Sequence, residues 1–233
     1  MGARRVAGAV TGAVHTAWIE PTDRLVGILG GTFDPIHYAH LAIAEQVAEA
    51  LKLDRVLFVP AGVPPHKPGA MVTPAEDRAA MVELAIAGNP MFSLCRVELD
   101  RPGPSYSVAS LDLLAAEAVR QNVERELFFI LSAEALADLP EWRDPQRIPA
   151  LCHLAVVPRL GRTAPDRAWL EANFPGRADR FVFVETVPLA NSSSDVRDRA
   201  TKGDSIRYLV PEPVEAYIHD HRLYRSVPED REK

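Results

Sequence analysis

Short apolar segments and amphipathic segments alternate along this chain from Leu25 onward, and this alternation restricts the fold more than any other feature. The apolar segments are typical of buried strands, whereas the segments between them carry apolar residues at helical spacing. Such alternation predicts an α/β domain that is doubly wound, with a mostly parallel open sheet and helices on both faces. Strands are predicted at 25–30, 55–60, 92–99, 126–132, 151–158 and 180–187. Helices are predicted at 39–51, 74–87, 107–119, 133–139, 164–174, 193–200 and 210–221.

The length of the chain suits one domain. Its 233 residues are enough for a single α/β domain, which we predict at residues 24–225. Residues 1–23 are predicted to form a flexible extension, and residues 226–233 a polar tail. Two arginines ahead of a run of small residues leave a secretory leader as the alternative interpretation of the extension.

The overall charge argues against some functions. A formal net charge of -6 is unfavourable for a general nucleic-acid binder, which needs a basic face for its phosphate contacts. No apolar stretch reaches the roughly 20 residues that a membrane-spanning helix requires, so no membrane partner is expected. Cys95 and Cys152 lie in apolar runs and are expected to be buried, reduced and unreactive, as in a cytoplasmic protein.

The residues that could bind a ligand or take part in a reaction follow the predicted strands, which is where an α/β sheet binds its ligands. The first such segment, GGTFDPIHYAH at residues 30–40, connects the first strand to the first helix, and we call it the first loop. Its paired glycines allow a ligand to approach the backbone closely. Asp34 is expected to cap the following helix, with Pro35 at the first helical position.

His37 and His40 lie within the first loop, three residues apart, and are therefore expected on one face of the first helical turn. Imidazole donors and the positive end of the helix converge there, which favours a bound phosphate. Two exposed histidines on a glycine turn are the simpler alternative. A metal pair is less favoured because no third ligand is apparent.

A serine run at residues 191–197, with the sequence NSSSDVR, opens another predicted helix. Serine hydroxyls, the free N–H groups of a helix start and Arg197 one turn inside the helix would together form an anion cradle. A serine-capped surface helix is the alternative interpretation.

A proline-rich segment, VPAGVPPHK at residues 59–67, follows the second strand. His66 beside Lys67 offers adjacent donors for a phosphate, although a solvated loop is the alternative. The next helix carries EDRAAM, in which Arg78 is either part of a site or an ordinary surface residue of the helix.

Two later segments also lie close to strand ends. PSYSVASL at 104–111 places Ser107 at a helix start, where it is either a plain cap or part of an acceptor for a carboxylate. FFILSAEALADLPEW at 128–142 ends on Trp142, which suits either the core or a flat, electron-poor ring.

These segments together carry a family resemblance. The first loop resembles the GGTFDPxHxGH signature of nucleotidyltransferases with an HxGH motif. The other segments resemble, in chain order, the VPxxxPPHK, ERxxM, PSYTxDTL, FFILGADALxxLPxW and ISSTxIR segments of the nicotinate-nucleotide adenylyltransferases. The resemblance runs from about residue 25 to residue 224 and implies a Rossmann-like nucleotidyltransferase fold. It also implies adenylyl transfer from ATP to nicotinate mononucleotide, giving nicotinate adenine dinucleotide and pyrophosphate in NAD biosynthesis.

The resemblance implies a role for individual residues as well. In that family the histidines hold the ATP phosphates while pyrophosphate leaves, so the catalytic residues would be His37, His40 and Arg197. Mg²⁺ is expected to arrive with ATP, without metal ligands from the chain. ATP-binding residues would be Gly30, Gly31, Thr32, Phe33, His37, His40, Ser192, Ser193, Ser194 and Arg197. Mononucleotide-binding residues would be His66, Lys67, Tyr106, Ser107, Glu134 and Trp142. Of these, Glu134 would bind ribose and Trp142 would stack on the pyridine ring.

The chain departs from the family pattern at Ala39, Ala109, Ser132, Glu134 and Asn191. Alanine at 39 replaces a glycine, and it fits if the backbone there is helical but is strained if φ is positive. Ala109 removes an acidic position and Glu134 reaches one methylene farther than aspartate. A preference for nicotinamide mononucleotide therefore stays open, as do another member of the superfamily and a non-catalytic nucleotide-binding module. Self-association into a homo-oligomer is also left open.

Overall fold

A computed structural model describes residues 19–64, 72–158 and 164–225 of the chain. Its strands form a single parallel sheet, which confirms the predicted fold class. The strands are β1 (Leu25–Gly31), β2 (Arg55–Pro60), β3 (Phe92–Leu94), β4 (Glu126–Ser132), β5 (His153–Val157) and β6 (Phe181–Phe183). Their order across the sheet is β3-β2-β1-β4-β5-β6.

Helices cover both faces of this sheet, as the alternating sequence predicts. The helix between Ile148 and Leu151 was not predicted, because a four-residue segment shows no helical period. The helices are α1 (Tyr38–Leu51), α2 (Ala75–Ile86), α3 (Ser107–Arg120), α4 (Ala133–Asp138), α5 (Ile148–Leu151), α6 (Arg167–Asn173), α7 (Ser193–Lys202) and α8 (Glu212–Asp220).

The core consists of two apolar layers, one on each face of the sheet. Because successive side chains of a strand point to opposite faces, Ile28 of β1 packs into one layer and Leu29 into the other. One layer is completed by α3, α4, α5 and α6, and the other by α1, α2, α7 and α8. Burial on both faces explains why the central strands are almost continuously apolar.

The strand order reverses between β1 and β4, and this reversal positions the site. From β1 the chain first adds β2 and β3 on one side, then crosses to β4 on the other side and continues outward. The connections on the two sides leave a crevice above the carboxyl ends of β1 and β4, where open α/β sheets bind ligands. Gly31 ends β1 and Ser132 ends β4, so both border this crevice.

The two edge strands are shorter than predicted. The third strand was predicted at 92–99 but ends at Leu94, and the last was predicted at 180–187 but ends at Phe183. Past Leu94 the chain turns, with the backbone N–H of Asp100 donating to Arg96 O at 2.9 Å. An edge strand has a neighbour on one side only, so such a local turn can end it although the sequence continues to be strand-like.

The start of α1 also differs from the prediction. The helix begins at Tyr38 and His37 is its N-cap, whereas Asp34 and Pro35 were predicted as cap and first helical residue. Asp34 instead precedes a cis peptide bond to Pro35 and is buried. Ala39 lies inside α1 with helical backbone, so the alanine that replaces the family's glycine is accommodated there.

The amino-terminal part of the described chain packs on the domain. Ile19 is buried in the core, and the buried Asp23 carboxylate accepts from Arg55 Nε at 2.5 Å. The domain boundary at residue 24 stays a prediction, and residues 1–18 and 226–233 lie outside the described residues. Within the described ranges, no helix combines the length and apolarity needed to cross a lipid bilayer.

Candidate active site

The first loop leaves the carboxyl end of β1 and folds back against it. Phe33 adopts a positive φ of 50° and is only 2% exposed, packing beside the rings of Phe58 and His40. A Cβ atom on Gly31 would lie 3.2 Å from the Phe33 ring, so the close return of the loop favours glycine at this position. The side chain of Phe33 thus lies in the core and supports the loop, and ATP binding at Phe33 stays a prediction that would involve its backbone.

The two histidines stack on each other at the start of α1. Their ring centroids are 3.8 Å apart, and the backbone N–H of His37 donates to Nδ1 of His40 at 3.3 Å. Because Nδ1 of a neutral His40 accepts this bond, its ring proton is on Nε2, where it can be donated to a ligand. Burial, followed by the neighbouring His37, lowers the pKa of His40 well below its ordinary value of 6.5.

The serine run forms the start of α7 and reaches the first loop. Ser192 is the N-cap and accepts from the backbone N–H of Asp195 at 3.1 Å. The hydroxyl of Ser193 donates to Pro35 O at 2.9 Å, and Arg197 donates to Asp34 O at 2.6 Å. These bonds hold the starts of α1 and α7 beside each other, although the bonded residues are 158 and 163 positions apart in the chain.

A cavity of about 590 Å³ lies between these two helix starts. It reaches from the end of β1 to Trp142 and is closed on one side by the loop that follows β6. Gln46 of α1 holds this loop by accepting from the backbone N–H of Val187 at 2.5 Å. The predicted ATP-binding residues that line the cavity are Gly30, His37, His40, Ser192 and Ser193.

A smaller cavity of about 180 Å³ adjoins the first and shares Gly30, Phe129 and Trp142 with it. Gly31 and Thr32 line this smaller cavity, and their binding of ATP stays a prediction. The indole of Trp142 packs edge-on against Phe129, with centroids 6.1 Å apart. Trp142 therefore lines two adjoining cavities, one beside the helix starts and one beside α3.

The predicted mononucleotide residues are only partly brought together. Tyr106 is the N-cap of α3 and Ser107 its first residue, and Ser107 lines the smaller cavity. Glu134 is half-buried in the first turn of α4, and Ser132 caps that helix by accepting from Ala135 N at 3.2 Å. His66 and Lys67 lie outside the described residues, which do not include residues 65–71.

Arg78 was left as a site residue or a surface residue, and the structure excludes the surface alternative because its side chain is 1% exposed. Its guanidinium donates to Thr32 O and Ala61 O, each at 2.6 Å, and to Thr73 O at 2.9 Å. Arg78 therefore connects the first loop to the loop after β2. Position alone did not reveal this role, because a helix residue with charged neighbours is usually exposed.

The C-terminal segment contributes a second contact that sequence reasoning missed. The Tyr224 hydroxyl donates to Asp34 Oδ1 at 2.7 Å, and its backbone carbonyl accepts from the Thr201 hydroxyl at 2.7 Å. Burial raises the pKa of Tyr224 strongly, so the phenol stays protonated and remains a donor. The end of the domain thus supports the first loop from behind.

The contacts of Asn191 account for one departure from the family pattern. Its side-chain amide donates to Leu209 O at 3.2 Å, and the same carbonyl accepts from the backbone N–H of Tyr38 at 3.2 Å. One carbonyl oxygen therefore joins the beginning of α7 to the beginning of α1. The polar residue is satisfied and adds a further connection between the two helix starts.

Other reactive groups contribute little to this site. Burial raises the pKa of both Cys95 and Cys152 to about 12, so both thiols are protonated and unreactive at neutral pH. Among the described residues there is no group of three His, Cys, Asp or Glu side chains that could hold a metal ion.

A Rossmann-like sheet with a crevice at its switch point and two helix starts facing that crevice is the arrangement expected of a nucleotidyltransferase. A family model described as cytidylyltransferase-like matches residues 28–199 of the chain. The chain belongs to the nicotinate-nucleotide adenylyltransferase family, as the following relatives show.

Two relatives named "probable nicotinate-nucleotide adenylyltransferase" match over nearly their whole length. The protein from Roseiflexus sp. (strain RS-1) is 50% identical over 200 residues, covering 86% of this chain and 98% of the relative. That from Thermomicrobium roseum is 46% identical over 202 residues, covering 87% and 92%. The same fold is found in a solved structure of nicotinic acid mononucleotide adenylyltransferase from Plasmodium falciparum, complexed with NaAD. That structure is 20% identical to this chain, with a TM-score of 0.68, and the match covers 86% of this chain and 97% of that chain. The predicted family is confirmed.

Proposed function

We propose that this enzyme transfers the adenylyl group of ATP to nicotinate mononucleotide, giving nicotinate adenine dinucleotide and pyrophosphate in NAD biosynthesis. One observation carries the proposal beyond family membership. The starts of α1 and α7 face one cavity, and Trp142 lines both this cavity and the smaller one beside the start of α3. The first cavity suits a triphosphate, and the smaller one suits a flat ring.

The triphosphate would lie between the two helix starts. The positive helix ends favour an anion there, and the hydroxyls of Ser192 and Ser193 would donate to it by exchanging their present bonds to Asp195 and to Pro35 O. Arg197 donates to Asp34 O and to the Ser194 hydroxyl at 3.2 Å, so its guanidinium is held beside the same place. Ser194 is exposed at the rim and would reach the phosphates from outside the cavity.

The chemical step needs no covalent enzyme intermediate. An oxygen of the 5′-phosphate of the mononucleotide attacks the α-phosphorus of ATP, and the bond from that phosphorus to the bridging oxygen of pyrophosphate breaks. A phosphate monoester is already nucleophilic near neutral pH, so no general base is required. The residues of the chain would align the reactants and neutralise the charge that develops on pyrophosphate.

His40 suits this second task. Its lowered pKa keeps the imidazole neutral, and the bond at Nδ1 leaves Nε2–H as the donor to a phosphate oxygen. We propose His37 and Arg197 as its partners in charge stabilisation. Mg²⁺ would enter as the complex with ATP, since the described residues contain no acidic cluster to retain a metal of their own.

The pyridine ring would stack on Trp142, and its carboxylate would accept from the free N–H groups at the start of α3, beside Tyr106 and Ser107. Glu134 would accept from a ribose hydroxyl, and His66 and Lys67 would add donors from the loop after β2. We further propose that the enzyme acts in the cytoplasm on small-molecule substrates, without nucleic acid, with residues 24–225 as its single domain. Assembly into a homo-oligomer stays an open part of this proposal.

A paired-substrate assay tests the function. Pyrophosphate release is measured with Mg-ATP and either nicotinate or nicotinamide mononucleotide, and the expected result is a higher kcat/KM for the nicotinate form. A higher kcat/KM for the nicotinamide form would show that nicotinamide mononucleotide is the preferred substrate. No release with either substrate, from protein whose fold is verified by circular dichroism, would favour a nucleotide-binding module or another member of the superfamily.

A further inference from the structure

A buried carboxyl group lies at the wall of the smaller cavity, where the proposed function places the pyridine ring. Glu98 lines this cavity together with Trp142 and Ser107, and it is only 8% exposed. Glu98 follows β3 in the turn that ends the strand, and no motif in the sequence pointed to it. A buried acid in a ligand cavity calls for a partner, because burying a charge without one is costly.

Two hydroxyl groups fix the position of this carboxyl. Ser110 of α3 donates to Glu98 Oε1 at 2.6 Å, and the hydroxyl of Ser105 also interacts with the Glu98 side chain. Ser105 and Ser110 are themselves buried and line the same cavity. The carboxyl group therefore lies between two cavity-lining side chains and borders the space that they enclose.

The surroundings of Glu98 offset part of the cost of burying its charge. Burial raises the pKa of Glu98, while the hydroxyls of Ser110 and Ser105 and the positive charge of Arg101 act in the opposite direction. Hydroxyl groups that donate to a carboxylate stabilise its charged state. A positive ligand in the cavity would add to that stabilisation and would itself be stabilised to the same extent.

The ring of a pyridine mononucleotide is such a ligand, because a pyridine nitrogen bonded to ribose carries a formal positive charge. Tryptophan offers the most favourable aromatic face for a cation, and a nearby carboxylate adds direct charge attraction. We infer that Glu98 is a specificity-determining residue that recognises the positive charge of the pyridinium ring stacked on Trp142. This inference rests on the proposed function and adds to it a basis for selecting a cationic ring over a neutral one.

The test compares two substrates that differ in the charge of the ring. Nicotinate mononucleotide has a cationic ring, whereas its 1,4-dihydro form has the same carboxylate, ribose and phosphate with a neutral ring. The ratio of their kcat/KM values is measured for the parent enzyme and for Glu98→Gln, which keeps an oxygen acceptor for Ser110. Glu124→Gln is the control, because it removes the same charge from an exposed turn at the opposite end of β4.

We expect Glu98→Gln to lower the oxidised-to-reduced ratio by about tenfold, as loss of a partly shielded charge attraction predicts. We expect Glu124→Gln to leave the ratio unchanged. Partial misfolding of Glu98→Gln lowers both rates by the same factor, so the ratio is insensitive to it. An unchanged ratio overturns the inference while the proposed function stands. A parent enzyme that forms no dinucleotide from nicotinate mononucleotide refutes the proposed function instead, and the inference with it.

Discussion

Replacing Arg78 by methionine should separate the structural support of the site from its chemistry. Methionine keeps much of the apolar stem of Arg78 but removes every donor of the guanidinium. In the folded enzyme that group donates to Thr32 O, Ala61 O and Thr73 O at distances of 2.6 to 2.9 Å. The substitution leaves these three backbone carbonyls of two loops without this donor, and also Gly62 O, which lies 3.3 Å from Arg78.

The expected loss of stability follows from these bonds. Hydrogen bonds from a charged donor contribute about 1.5–3 kcal/mol each, so three of them amount to roughly 5–9 kcal/mol. Removing the buried charge also removes its desolvation penalty, which offsets several kcal/mol. Desolvation is evident in the lowered pKa of Arg78. We therefore expect Arg78→Met to lower the free energy of unfolding by about 3–5 kcal/mol.

Urea unfolding followed by circular dichroism measures this loss. Arg96→Met is the matched control, because Arg96 pairs with Glu76 and Asp100 at the surface and its removal should cost less than about 1 kcal/mol. A loss for Arg78→Met as small as that of the control would show that the three carbonyls readily find other donors. The proposed connection between the two loops would then be wrong.

Four other substitutions or conditions test the remaining contacts. His40→Ala should lower kcat by about 10²-fold or more, and turnover within a factor of about three of the parent would remove this histidine from the mechanism. Trp142→Ala should raise KM for the mononucleotide about tenfold while KM for ATP stays within about threefold, and equal effects on both would contradict stacking. Tyr224→Phe leaves the buried Asp34 carboxylate without its 2.7 Å donor, so urea unfolding should show a loss of about 1–3 kcal/mol; no loss would argue against this contact. The pKa of His40 in the folded protein lies below the ordinary value of 6.5. The stability that depends on a neutral His40 is therefore complete above pH 6.5 and is lost as the pH falls below 6.5. The free energy of unfolding, measured by urea titration, should therefore fall less between about pH 7.5 and about pH 5.5 in His40→Gln than in the parent enzyme. An equal fall in both proteins would show that another group is responsible.

Much of the site was predictable because its signals are local. Glycines at the end of a strand, serines at the start of a helix and two histidines three residues apart each express a preference of the backbone within a few residues. The rule that ligands bind at the carboxyl ends of parallel strands also places the loops that follow those strands at one edge of the sheet, where α1 and α7 begin. The predicted cap of α1 was wrong, because the first loop packs Asp34 under Arg197 and Tyr224 before the helix can begin.

The sequence by itself determined the parallel sheet and the order of its helices, and it predicted that the first loop binds phosphate. Period and capping depend on neighbouring residues, so they can be recognised without coordinates. Only the tertiary structure decided that Arg78 is buried, that Tyr224 reaches Asp34 across 190 positions and that Glu98 borders the smaller cavity. These contacts join residues that are distant in the chain, and their energy depends on how the layers pack, which no local pattern records.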